Sequence, residues 1–204
     1  MNRYDLQSYA LLAMARLPQG SQPRRIPLVV PRCTFDTGGG AISHLYKEIF
    51  VNRVYELAEP VPAGGRILDA GAHIGMAALY FLHTHPQARV FSIEANPATA
   101  KVLRQNLAPW QDRVEVVESA LSDADGETSF FVSGGTGTNV NAGMTNREGS
   151  DAVVTEMKVT CLDVRHLFED GGFAFAKVDI EGGEYAVLQT EHFHPDSVRS
   201  MIVE

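Results

Sequence analysis

The stretch Arg66-Ile67-Leu68-Asp69-Ala70-Gly71-Ala72-His73-Ile74-Gly75 constrains this chain more than any other. A short apolar run meets an acid, two glycines bracket a turn, and an apolar helical pattern follows. That order is the mark of a parallel strand ending in a ligand-binding turn at the start of a helix. Glycine permits positive φ and lets a ligand pass close to the backbone.

The downstream sequence keeps the alternation that such a turn implies. A helix is expected over Ile74–His83, a strand over Arg89–Ile93, and a helix opened by Asn96 as N-cap with Pro97 at its first position. Val114–Val117 reads as a third strand, Phe173–Ile180 as a fourth and Met201–Glu204 as a fifth, with helices from Asp163 and over Glu184–Leu188. Strands and helices in this order predict an α/β, Rossmann-like, doubly wound, mostly parallel sheet, with its ligand outside the carboxyl ends of the strands. Between the third and fourth strands the rhythm breaks. Thr128–Val132 and Val153–Thr160 read as an inserted β-hairpin around a long polar loop, 133–150, which is expected to shape a substrate site.

Upstream of the turn, residues 1–62 read as an N-terminal extension of helix, short strand and helix packed on a core of residues 63–204. Its elements are a helix over residues 4–17, a strand at Leu28-Val29-Val30 and a helix from Ser43 to Leu57. The core is expected to lack the strands that commonly complete such a sheet. An unfinished edge would favour a homo-oligomer, unless the N-terminal strand covers it.

Charge narrows the partners. With 25 acids against 17 Lys plus Arg, the net charge is −8, and Arg24-Arg25 is the only basic doublet. Nucleic acid is not an expected partner, because phosphate binding needs clustered cations. The apolar run Tyr9–Ala15 is too short, and too charged at its edges, for a membrane span. Cys33 and Cys161 make neither a disulfide framework nor a metal spacing, which points to a cytoplasmic protein.

Two ligand classes use a glycine turn after the first strand. A dinucleotide needs Gly-x-Gly-x-x-Gly, but with Gly75 as the third glycine, Ala70 and Ala72 occupy the other two positions. A carboxylate at Asp69 would also repel a pyrophosphate. S-adenosylmethionine carries a sulfonium and an ammonium instead of phosphate, and suits Asp69-x-Gly71-x-x-x-Gly75. Glu94, ending the second strand, can accept both ribose hydroxyls, a role that dinucleotide sites share.

Three segments together carry a family resemblance: Ile67–Gly75, Ser92–Pro97, and Lys177-Val178-Asp179-Ile180-Glu181-Gly182-Gly183-Glu184. With Ala120–Asp123 and Thr160–Asp163, this pattern resembles the FkbM family of S-adenosylmethionine-dependent methyltransferases over roughly residues 48–204. The resemblance implies that Asp69, Gly71 and the backbone around Ala72 and His73 contact the methionyl part of the cofactor, with Gly75 also in the cofactor-binding turn. It places Glu94, Ala95 and Asn96 at the ribose, Ser119 and Ala120 along the adenine, and Asp179 facing the methyl-transfer position. Glu48 and Tyr55 would help close the pocket. His73 departs from the family's usual Asn; its charge depends on pH, and beside a cation it is expected to be neutral.

The expected reaction is O-methylation of a hydroxyl on a sugar, glycolipid or natural product, leaving S-adenosylhomocysteine. Hydroxyl attack needs a base, so Asp179 and Glu181 are the catalytic candidates. Glu181 and Glu184 also read as ordinary acids at a helix start. No metal is expected, although His192 and His194 beside Asp196 invite that reading. The competing readings are a non-catalytic cofactor-binding module and a NAD-dependent oxidoreductase.

Overall fold

Five parallel strands carry the molecule. The computed structural model describes residues 3–17, 21–133, 141–143 and 154–204. Its elements are helices α1 (Arg3–Ala15), α2 (Ser43–Tyr46), α3 (Met76–Thr84), α4 (Pro97–Leu107) and α5 (Glu184–Gln189). The strands are β1 (Arg25–Leu28), β2 (Cys33–Asp36), β3 (Arg66–Ala70), β4 (Arg89–Glu94), β5 (Val114–Glu118), β6 (Ala120–Ser122), β7 (Gly126–Ser133), β8 (Asn141–Gly143), β9 (Val154–Asp163), β10 (Phe175–Val178) and β11 (Met201–Val203).

The main sheet runs β11-β10-β3-β4-β5, all parallel. The chain winds outward from β3 to β5 and returns to the other side of β3 as β10, which makes it doubly wound. Ile67 and Leu68 serve opposite faces. Ile67 joins α3, Leu103 and Leu107 in one core, whereas Leu68, Ala70 and Ile93 join Leu167, Val187 and Phe193 in the other. Strands covered on both faces are mostly apolar, and β3 and β10 are so apart from Arg66 at the edge of β3 and one buried pair, Asp69 and Lys177.

Helix α3 is buried from Met76 to Leu82 without a polar face. One side meets the sheet; the other meets residues of the N-terminal extension, including Leu11, Tyr46 and Phe50, in the same core. A helix covered all round has no reason to be amphipathic. Helix α4 opens as the sequence suggests, with the Asn96 side chain accepting the Ala98 N–H at 3.0 Å and Pro97 at its first position.

Several expectations need correction. The first strand ends at Leu28, because the chain turns through Val29 and Pro31 and Val29 N–H goes to the Gln7 side chain at 2.9 Å. The strand that follows, β2, pairs only with β1, so this pair does not extend the main sheet. The helix expected over Ser43–Leu57 stops early. After α2 it widens into a π-turn over Lys47–Val51, and Arg53 takes a left-handed φ of 55°. Val54 is consequently exposed rather than on an apolar face.

The inserted hairpin is the middle of a second, four-stranded sheet ordered β6-β9-β7-β8. The 133–150 loop lies largely outside the described residues, apart from Ser133 and the strand β8. Among the described residues, no helix is long and apolar enough to cross a membrane.

Candidate functional site

A cavity of about 280 Å³ opens at the carboxyl ends of β3, β4 and β10. Its floor is the glycine turn. Gly71 N–H and Ala72 N–H both donate to the Ile93 carbonyl, at 3.0 and 2.8 Å, tying the turn to the end of β4. Gly71 has φ 77°, and a Cβ there would stand 1.7 Å from the Asp179 carbonyl oxygen. Only glycine lets β3 and β10 finish this close together. His73 follows with φ 51° and Glu181 has φ 57°, both unusual for side-chain-bearing residues and both on the cavity wall.

The wall holds Gly71, Ala72, His73, Glu94, Ala95 and Asn96, which are among the residues named from sequence. Ser119, Ala120, Asp179 and Glu181 complete that group, and Tyr55 joins them from the extension. Glu94 is braced from behind: its carboxylate accepts the backbone N–H of His73 at 2.8 Å and of Asn96 at 2.9 Å. Burial pushes this carboxyl up, and the Asn96 and His73 N–H groups oppose that rise. A carboxylate oxygen can accept more than one hydrogen bond, so Glu94 keeps acceptor capacity toward the cavity.

Three residues fall elsewhere. Gly75 is not on the wall; its missing Cβ makes room for Leu103, whose Cδ1 would lie 2.8 Å away, so this glycine serves the packing of α4. Glu48 stands half exposed, 3.7 Å from His44. Asp69 does not reach the cavity either. It is fully buried on the Ile67 face of β3, and neither oxygen accepts a hydrogen bond in the structure.

What stands next to Asp69 is a residue that the sequence reading did not single out. Lys177 on β10 is in register with Asp69 on β3, and lines the cavity. Its Nζ lies 3.5 Å from Asp69 Oδ1 and 3.4 Å from Asp179 Oδ2, and donates to the Gly71 carbonyl at 2.9 Å. Burial works against the ammonium, but Asp69 and Asp179 outweigh it and hold the Lys177 pKa above its usual value. Burial also pushes the Asp69 carboxyl up, with Lys177 pulling it back. The only signal in the sequence was a lone lysine inside the apolar run Phe173–Ile180.

Other wall residues come from distant elements: Leu45 from α2, Ile49 from the π-turn and Phe130 from β7. Tyr55 Oη donates to Glu204 at 2.6 Å, and burial together with Glu204 pushes the hydroxyl pKa up. Glu184 does not touch the cavity. Its carboxylate accepts the backbone N–H of Ile180 at 2.9 Å and of Gly182 at 3.0 Å, which makes it a brace of the turn before α5.

His192 and His194 take separate partners. His192 Nδ1 pairs with Asp163 at 3.1 Å, while His194 packs edge-on against Phe168. Among the described residues, no group of three or more His, Cys, Asp or Glu is placed to hold a metal ion.

The wall therefore sets three carboxylates, Glu94, Asp179 and Glu181, against one buried ammonium. Such a lining disfavours a polyanion and suits a ligand with hydroxyls and positive charge.

Residues 69–204 match the methyltransferase FkbM domain family. Methyltransferase sdnD of Sordaria araneosa is 30% identical over 190 residues, an alignment covering 78% of this chain and 73% of that protein. The 2-O-methyltransferase NoeI of Sinorhizobium fredii is 38% identical over 81 residues, 40% of this chain and 32% of its own. Among solved structures, methyltransferase FkbM from Methylobacillus flagellatus KT aligns over 92% of this chain and 44% of its own, at 14% identity and a TM-score of 0.43.

Proposed function

This chain belongs to the FkbM methyltransferase family, and from that premise we propose that it is an S-adenosylmethionine-dependent O-methyltransferase. The observation that carries the reading is the acidic wall of the cavity at the carboxyl ends of the strands. Glu94 is braced with capacity to spare for a ribose diol. Gly71 leaves backbone exposed where the methionyl part would lie, and Ser119 and Ala120 border the far end. A dinucleotide's pyrophosphate would face Glu94, Asp179 and Glu181 together, and so would be repelled.

Bound S-adenosylmethionine would supply the methyl group as a sulfonium, leaving S-adenosylhomocysteine. The protein's own task is then alignment and proton removal. Asp179 directly follows β10 with its side chain about a third exposed, so it can meet both the cavity and an incoming hydroxyl. We assign it the role of base, with Glu181 as the neighbouring carboxylate able to receive or share the proton. Asp69 acts from beneath the turn, through Lys177, rather than by touching the cofactor.

A hydroxyl acceptor on a sugar, glycolipid or natural product is favoured because a relative carries the name 2-O-methyltransferase. The test is calorimetric titration with S-adenosylmethionine, S-adenosylhomocysteine and NAD. Binding of the first two is expected, whereas binding of NAD alone would overturn the assignment. With an acceptor in hand, Asp179→Asn should retain cofactor binding and lose turnover. Full turnover in that variant would remove Asp179 from the chemistry.

A further inference from the structure

Lys177 touches no reacting atom in the proposed reaction, yet its ammonium has four polar partners. It is buried, and its ammonium meets the carbonyl of Gly71 at 2.9 Å, that of Ala70 at 3.4 Å, and the carboxylates of Asp69 and Asp179. The Tyr55 ring lies 5.9 Å from it. Asp69, by contrast, accepts no hydrogen bond of good geometry, with burial raising its pKa and the Lys177 ammonium and the Ala78 N–H the groups that lower it, and Ser92, its register partner on β4, has a buried hydroxyl without a partner. A carboxylate buried in this way is costly unless a cation stands beside it.

We infer that Lys177 is the positioning residue of this site: its single ammonium pins the Gly71 turn and balances Asp69 beneath it and Asp179 beside it, presetting the floor of the cavity for a cationic sulfonium ligand. The inference rests on the proposed function, since it names what shapes the same cavity. A buried cation would oppose a cationic ligand if charge were its only contribution. On this inference the pinned turn and the ionised Asp69 are worth more to binding than that repulsion.

The charged groups around Lys177 are Asp69 on β3, Asp179 beyond β10 and Glu94 at the end of β4, with Glu204 beyond β11 more distant and bonded to Tyr55. His73 faces Glu94. Removing the ammonium leaves Asp69 with no counter-charge. A buried carboxylate in that position takes up a proton, and the site becomes sensitive to pH where it was not before.

The experiment titrates the intact chain and its Lys177→Met and Lys177→Arg variants with S-adenosylmethionine between pH 6 and pH 9. Lys177→Met is expected to bind about tenfold more weakly than the parent at pH 6, with the deficit shrinking as pH rises and Asp69 ionises. Lys177→Arg keeps the charge and is expected to follow the parent's pH profile, whatever its absolute affinity. Tighter binding by Lys177→Met at every pH would show that the lysine merely opposes the ligand, and would overturn the inference. A deficit that does not change with pH would reduce Lys177 to packing, with the same consequence. Should Lys177→Met fail to fold, Lys177→Arg decides: a profile matching the parent supports the role, and a steeper one refutes it. If the parent binds neither S-adenosylmethionine nor S-adenosylhomocysteine, the proposed function fails, a result distinct from any of these.

Discussion

Replacing Gly71 with alanine separates two costs that the structure makes unequal. The first is backbone conformation: at φ 77° an alanine sits in the left-handed region, at about 1–2 kcal/mol, partly offset because alanine has less freedom to lose on folding. Gly64 measures that term alone, since its φ is 73° and a Cβ there meets nothing within 4 Å. The second cost exists only at Gly71, whose Cβ would lie 1.7 Å from the Asp179 carbonyl oxygen. Asp179 is held by its N–H bond to the Ala70 carbonyl, at 3.1 Å, so the end of β10 must slide outward to clear it. Overpacking of this kind costs about 1–3 kcal/mol more.

Gly64→Ala should therefore lose about 1 kcal/mol and Gly71→Ala about 2–4 kcal/mol. Urea unfolding followed by the fluorescence of Trp110, the sole tryptophan, gives both numbers. Gly71→Ala should also lose stabilisation by S-adenosylmethionine, because the turn that floors the cavity is displaced, while Gly64→Ala keeps it. Equal losses in the two variants, within about 0.5 kcal/mol, would refute the claim that β3 and β10 meet through that glycine.

Other outcomes follow from single contacts. Glu94→Gln should weaken S-adenosylmethionine and S-adenosylhomocysteine alike by about tenfold or more in calorimetry, because a ribose contact does not depend on the methyl group. Asn106→Ala should lose about 3 kcal/mol in denaturation, since the buried amide accepts the Asp36 N–H at 2.7 Å and donates to the carbonyls of Asp36 and Ile74 at 2.9 and 2.8 Å. His166 lies between Asp125 at 2.8 Å and Glu169 at 2.6 Å, and these carboxylates, Asp125 first, hold its pKa above the usual value. The stability it contributes is complete below the ordinary histidine range, about 6.5, and is lost as pH rises through the elevated value. His166→Gln should accordingly flatten the fall in melting temperature above about pH 6.5, and an unchanged slope would exclude this network.

Much of the site could be read from the chain because its parts sit where local motifs end. Gly71, Glu94 and Asp179 each lie at or just past the carboxyl end of a strand, and an apolar run closed by an acid or a glycine is visible without knowing the neighbours. Lys177 was harder, because its meaning comes from Asp69 across the ladder, and register between β3 and β10 is not written in either segment. Leu45, Ile49 and Phe130 were invisible for a similar reason, each reaching the cavity from a separate element. Gly75 has a second reason to be glycine that the motif does not show, since its missing Cβ admits Leu103. The second sheet was half seen, since β7 and β9 read as a hairpin, but β6 and β8 are three residues each and too short to announce themselves.

The order of the strands also bears on how the chain is made. β3 emerges early and acquires β4 soon afterwards, but its other neighbour, β10, comes from far down the sequence. The bond from Lys177 to the Gly71 carbonyl closes a loop of 106 residues. Until that length has been synthesised, the nascent half-sheet exposes one ladder of unpaired amides and carries a carboxylate with no counter-ion. Closing so long a loop is slow, because its entropy is lost before the contacts form. The step that completes the sheet is therefore also the step that neutralises Asp69, and a ribosome-bound fragment ending before residue 177 should hold neither its fold nor its ligand.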